Sequence, residues 1–264
     1  KPINLSARQG VIRANNQTDF VKAFERIKAL LLDNDSRTKN KILIEDYIEG
    51  EEVALEGLMV NGKLTMLALF DKPDPLEGPY FEETIYITPS RKSIEIQNSI
   101  RNMAEQAANS IGLKEGPLHI ELRLQPNTRT SNKTGPCVID IAARSIGGLC
   151  SRSLQFSDGL TLEDIILHHA IGKPIETNRE NKASGVMMIP IPKAGILKRV
   201  DGTLDAQSVP GITDITISST VGKQLLPLPE GNKYLGFIFA KADQPDEVEA
   251  ALRTAHSKLN FQII

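Results

Sequence analysis

Asn61-Gly62 stands between two mostly apolar runs, residues 53–60 and 63–71. Asn-Gly is a strong short-range hairpin signal, because both residues tolerate the positive φ that a tight type I′ turn demands. The middle of the chain is thereby committed to antiparallel strands. Two further segments read as strands, 118–124 by its alternation and 137–143 by its apolar run. Residues 41–47 read as extended, with Gly50 as the turn that follows, and residues 72–80 carry Pro-containing turns that constrain a loop. Residues 34–40 read as a polar loop and residues 125–135 as a soft polar linker.

Helices punctuate these strands. Phe20, Ala23, Phe24, Ile27, Leu30 and Leu31 recur at helical spacing, with Thr18 or Asp19 as the expected cap. Ile96, Ile100, Met103, Ala107 and Ile111 form the stripe of a helix over 92–111, closed by Gly112. Thr161 and Asp164 have capping-box spacing at the head of a helix that ends near Gly172, before Pro174. Residues 175–184 are polar and turn-like and make the best domain boundary. Beyond them come short strands at 185–191, 196–200, 212–217, 235–240 and 261–264, and a helix over 246–259 led by Pro245.

Composition excludes several function classes. A net charge of −2 gives no electrostatic case for nucleic acid or an anionic membrane surface. No run of 18 apolar residues exists to span a bilayer. Phe and Tyr are the only aromatics, at 5%, too few for a base-stacking surface. Two cysteines, Cys137 and Cys150, do not make a disulfide framework and read as free thiols of a cytoplasmic protein. The chain opens on Lys1-Pro2, without Met or a signal-like segment, as though it began within a longer protein.

Four pieces carry chemistry. Lys1, ahead of the small-residue loop from Ser6 through Gly10 to Val11, offers a point charge and backbone N–H groups to a polyphosphate. Glu45, Asp46, Tyr47 and Ile48 form an extended linker able to present backbone groups to an adenine edge. Glu52 (or Glu51) then supplies a carboxylate that accepts from a ribose diol. In the third piece, alternation puts His119, Glu121 and Arg123 on one strand face. Last, Asp140 lies inside the apolar run 138–142, where an unpaired buried acid is costly and wants a metal or a base. Arg144 follows four residues later and can fork onto a phosphate or carboxylate. Taken singly, each piece has an ordinary alternative: a surface loop, an acidic turn, a solvated sheet face, a buried Asp–Arg pair. No G-x-S-x-G motif offers a protein nucleophile.

In this order and at this spacing the four pieces resemble the ATP-grasp superfamily, and the tail from about Ser184 resembles the C-terminal domain of its amino-acid-ligase branch. The resemblance implies an α+β fold in which two subdomains clamp ATP, with residues 1–180 as the nucleotide-binding region and 181–264 as a small β-rich C-terminal domain. It implies an ATP-dependent carboxylate–amine ligase that works through an acyl phosphate, with ATP and Mg²⁺ (or Mn²⁺) and small-molecule carboxylate and amine substrates. By position, Lys1 resembles the phosphate-binding lysine and Ser6 to Val11 the phosphate lid. Glu45, Asp46, Tyr47 and Ile48 resemble the adenine hinge, and Glu52 the ribose-binding glutamate. Glu121 and Asp140 resemble the metal carboxylates, and Arg144 the arginine that faces the transferred phosphoryl group. Lys72 and Glu83 fall in a loop that shapes the substrate side in related enzymes. The family pattern also has an earlier domain, expected ahead of Lys1, and its members often dimerise, so a homodimer is expected. The second metal strand departs from the usual Glu-x-Asn, reading Asp140-Ile141-Ala142, and Ala142 cannot ligate. Two rivals stand beside the ligase: a bicarbonate-activating enzyme of the biotin carboxylase or carbamoyl-phosphate synthase type, and a non-catalytic ATP-binding module.

Overall fold

The Asn61-Gly62 turn forms, with φ of 50° and 75° at its two residues. The computed structural model describes residues 1–33, 41–126 and 134–264. The expected loop at 34–40, and the linker apart from its ends, lie outside the described residues. In chain order the strands are β1 (Glu51–Val60), β2 (Lys63–Asp71), β3 (Ile85–Thr88), β4 (Gly116–Gln125), β5 (Gly135–Ala142), β6 (Ala183–Ile189), β7 (Gly195–Asp201), β8 (Ile212–Ile217), β9 (Gln224–Leu225), β10 (Gly236–Ala242) and β11 (Asn260–Ile263). Among the described residues, eight of them form one antiparallel sheet in the order β5-β4-β1-β2-β3-β6-β10-β8, and three form a small sheet, β11-β7-β9. The large sheet runs across the expected boundary at 175–184 through the pairing of β3 with β6.

The helices are α1 (Gln17–Asp33), α2 (Ile94–Ser110), α3 (Leu162–Ala170), α4 (Thr203–Gln207) and α5 (Pro245–Lys258). Asn16, rather than Thr18 or Asp19, caps α1: its Oδ1 accepts from the Asp19 N–H at 2.9 Å. Thr18 and Asp19 already lie inside the first turn, where a side chain no longer reaches the free N–H groups. In the stripe of α1, Ile27 and Leu31 are buried, whereas Phe20 and Phe24 stay exposed and stack at 6.4 Å. The Thr161–Asp164 capping box forms at α3, and Pro245 opens α5. Residues 41–47 are not a strand. Only Ile42 makes a bridge there, to Pro2, and proline has no N–H with which to carry the ladder on.

The two faces of the large sheet are covered differently. On one, α2 packs on Val53, Leu55, Leu118, Ile120 and Leu122. On the same face α5 packs on Ile85, Ile87, Met187 and Ile238. Gly185 lets α5 approach, since a Cβ there would lie 2.8 Å from Val248 Cγ1. On the other face, the segment around residues 146–165 packs on Ala54, Leu58 and Phe70 of β1 and β2 and on Tyr86, Val186, Met188, Phe237 and Phe239 of β3, β6 and β10. The β1–β4 half of that face carries ionisable groups.

Candidate functional site

Register assembles the site. Glu52 pairs across β1–β4 with Arg123, Ala54 with Glu121 and Glu56 with His119, so all five ionisable side chains share a face. All five are buried. Two more groups arrive from the loop between β2 and β3, Lys72 just after β2 and Glu83 just before β3. A third, Arg8, arrives from the N-terminal loop. Lys72 Nζ donates to Glu52, Glu83 and Glu121 at 2.7, 2.6 and 2.9 Å. Arg8 Nη2 donates to the same three carboxylates at 2.7, 2.8 and 2.7 Å. Tyr86 Oη donates to Glu83 at 2.6 Å.

The electrostatics follow from burial and partners. Burial alone would push the Glu121 carboxyl up, but Lys72 and Arg8 outweigh it and hold it well below the usual carboxylate range. Glu52 is lowered in the same way. Burial alone would lower the Lys72 ammonium, yet Glu121, Glu83 and Glu52 hold it raised and charged. His119 would also be lowered by burial, but Glu121 and Glu56 raise it to about 9. Its Nδ1 meets Glu56, and its Nε2 lies 3.7 Å from Glu121. Glu56 also accepts from the Ile146 N–H at 3.0 Å, which ties β1 to the loop that carries Arg144.

Carboxylate oxygens of Glu52, Glu83 and Glu121 lie within 4.8 Å of one another. Three converging hard oxygens suit an oxygen-seeking divalent cation such as Mg²⁺ or Mn²⁺. The set is not the pair expected from sequence. Asp140 is the register partner of Glu121, but it is exposed and not buried, because among the described residues β5 is the edge of the sheet.

The other expected residues sit around this cluster. Arg123 Nη1 donates to the Ile48 carbonyl at 2.7 Å, and its guanidinium contacts Glu52, so the 45–48 linker is pinned beside Glu52. Tyr47 stacks on Phe81 at 6.2 Å, and Arg13 covers its ring. Glu45 is exposed and pairs with Lys1 Nζ at 2.6 Å, which joins the first two sequence pieces; Asp46 is exposed. Ser6 is exposed and accepts from the Gln9 N–H, while Val11 donates to the Arg8 carbonyl. Gly10 is buried at φ 72°, and a Cβ there would lie 2.7 Å from Pro2. Arg144 is exposed and donates to the Ser145 carbonyl at 2.7 Å. Sequence analysis did not single out Arg8 or Glu56. An unpaired arginine within a small-residue loop was the available signal for the first. A glutamate on the site face of a strand, in phase with Glu52, was the signal for the second.

Comparison with known proteins gives two family matches: ATP-grasp domain over residues 1–153, and L-amino acid ligase C-terminal domain 2 over residues 187–263. The alanine–anticapsin ligase of Bacillus subtilis (strain 168) is 25% identical over 183 residues, which is 63% of this chain and 37% of that protein. The crystal structure of an L-amino acid ligase from Bacillus licheniformis superposes with a TM-score of 0.83 at 26% identity, covering 100% of this chain and 64% of that one. Biotin carboxylase from Campylobacter jejuni shares the fold, with a TM-score of 0.64 at 14% identity, over 98% of this chain and 56% of that one. The chain therefore spans less than two thirds of the length of either ligase. The ATP-grasp match takes in the whole carboxylate cluster and more than half of the residues, and the chain belongs to the ATP-grasp family.

Proposed function

We propose that this chain carries the nucleotide site of an ATP-dependent ligase that joins a small-molecule carboxylate to an amine, within the cytoplasm. The observation that carries the reading is the convergence of Glu52, Glu83 and Glu121 on one sheet face, inside the segment that matches the ATP-grasp family. In this reading the linker of Glu45, Asp46, Tyr47 and Ile48 receives the adenine and Glu52 the ribose. Lys1 and the loop from Ser6 through Gly10 to Val11 receive the phosphates. Glu121, with Glu83 and with Asp140 at the edge, holds Mg²⁺ or Mn²⁺, which when bound neutralises charge on the phosphate oxygens. The substrate carboxylate attacks the γ-phosphoryl group, forming an acyl phosphate and releasing ADP. The amine then displaces phosphate and leaves an amide. Arg144 turns from the Ser145 carbonyl onto the transferred group, and the lid excludes water that would hydrolyse the acyl phosphate. A division into residues 1–180 and 181–264 belongs to the same proposal, supported by the two family matches on either side of it.

Titration calorimetry with a non-hydrolysable ATP analogue, with and without Mg²⁺, tests the reading on wild type and Glu121→Gln. Magnesium-dependent binding that the variant weakens is the expected outcome. Binding indifferent to both Mg²⁺ and Glu121 would sink it. Amino-acid-dependent ADP release should then follow; release driven by bicarbonate instead would reassign the acceptor.

A further inference from the structure

The turn between β9 and β10 reaches across to the N-terminal loop. It lies within residues 187–263, whereas the loop and α1 lie within residues 1–153, so the contact joins the two family-matched segments. The turn is closed on itself by the Gly231 N–H on the Pro227 carbonyl at 2.8 Å. Glycine is required at 231, because a Cβ there would lie 1.8 Å from the Leu226 carbonyl oxygen. Two carbonyls of the turn face the loop: Pro229 accepts from the Gly10 N–H at 2.9 Å, and Glu230 from Gln9 Nε2 at 2.6 Å. The Glu230 carboxylate engages α1, where it takes a fork from Arg26, Nε at 2.5 Å and Nη2 at 2.9 Å. Arg26 Nη1 donates to Tyr80 Oη at 2.5 Å, and Tyr80 is bridged to Ile12, just beyond the loop. The loop's own backbone bonds are short closures, the Gln9 N–H on Ser6 and the Val11 N–H on Arg8. Such closures shape a loop but do not place it, so its position depends on the elements that grip it from outside. Arg8 grips the carboxylates with its side chain, and the 227–231 turn grips the backbone.

We propose that Glu230 is a positioning residue for nucleotide binding: through its fork on Arg26 and the closed 227–231 turn, it sets where the backbone of residues 9–11 stands to receive the polyphosphate. The inference rests on the nucleotide-site reading and extends it to the C-terminal segment, which acts on the phosphates through the loop and touches none of them. The Arg26 and Glu230 side chains are 45% and 38% exposed, and an exposed ion pair adds little to global stability. Its effect falls on binding instead, because a loop already in place loses less freedom when a ligand arrives.

The test needs no turnover. The non-hydrolysable ATP analogue with Mg²⁺ is titrated by calorimetry into wild type, Glu230→Lys, Arg26→Glu and the exchanged pair, Glu230→Arg with Arg26→Glu. Each single variant should bind at least about fivefold more weakly. Glu230→Lys is the sharper of the two: it adds positive charge beside the loop, which by itself favours an anionic ligand, so weaker binding reports lost positioning. The exchanged pair restores an ion pair at unchanged net charge and should return to within about twofold of wild type. Unchanged affinity in the single variants overturns the proposal, and so does a loss that the exchanged pair leaves in place. Should a charge-reversed variant fail to fold, Glu230→Gln decides by amide exchange without ligand. The Gly10 N–H should then exchange at least about threefold faster than in wild type, because its acceptor is no longer held in place. An unchanged exchange rate overturns the proposal. Failure here with magnesium-dependent analogue binding intact in wild type removes the role of Glu230 and leaves the nucleotide site standing. Absence of analogue binding in wild type removes the nucleotide site itself and this inference with it.

Discussion

Along β1 and β4 the inner face of the large sheet presents Glu52, Glu56, His119, Glu121 and Arg123; along β6 and β10 the same face presents Val186, Met188, Phe237 and Phe239. Both halves are buried, and they differ in what burial does for them. The apolar half gains roughly 25 cal/mol per Å² removed from water. The charged half loses hydration on every group and recovers it only through close partners, so its net contribution to stability is small or adverse. A fold that spends part of its best-covered surface on ions keeps them for chemistry, and lets the neighbouring apolar half supply the stability.

The largest test breaks the charged half. Lys72→Met removes the buried ammonium shared by Glu52, Glu83 and Glu121 and should lower the unfolding free energy by about 5 kcal/mol, read from the urea midpoint. A loss under about 1 kcal/mol would mean that the remaining partners, Arg8, Arg123 and Tyr86, suffice to hold the carboxylates. Next, Phe156→Ala removes the centre of the apolar half, where Phe156 is fully buried. The expected loss is about 4 kcal/mol, independent of Mg²⁺. A magnesium-dependent loss would show that the halves are not separable. Thr161→Ala then sharpens the comparison: it removes the cap of α3, whose Leu162 and Ile165 cover the apolar half. Its cost should be about 1 kcal/mol in thermal unfolding, with Mn²⁺ binding unchanged.

The smallest effect contrasts two histidines. Carboxylates raise His119, whereas burial alone lowers His256 on α5 below 6.5. For His256 the unfolded chain takes up the proton first, so stability falls as pH drops through 6.5. His256→Gln should flatten that fall between pH 7 and 5, by less than the loss of the α3 cap. An unchanged pH slope would mean that His256 is hydrated in the folded protein.

Local signals carried much of this from sequence. The Asn61-Gly62 hairpin, the stripe of α2, the Thr161–Asp164 box and the single face of His119, Glu121 and Arg123 all rest on residues near one another in the chain. β3 escaped because Ile85-Tyr86-Ile87-Thr88 is buried on both faces and shows no alternation. The pairing of β3 with β6 joins residues about a hundred positions apart, and no local pattern encodes it. The same holds for the site. Glu121 was legible as a strand position and Glu52 as a carboxylate just ahead of one, but Lys72 and Glu83 reach them only through the fold, as Arg8 does. Asp140 was expected to be buried because its neighbours are apolar; strand order, which sequence does not display, put it at an edge.

The ladder between β2 and β3 has a single register pair, Asp71 with Ile87, against four between β3 and β6. A sheet bends most easily where its ladder is thinnest, so the eight strands amount to two stiff panels with a crease between them. Lys72 and Glu83 stand on opposite sides of that crease and meet at 2.6 Å, riveting it. The ion pair thereby fastens the sheet where its own backbone ladder does least, and the site's charges double as a seam between the panels.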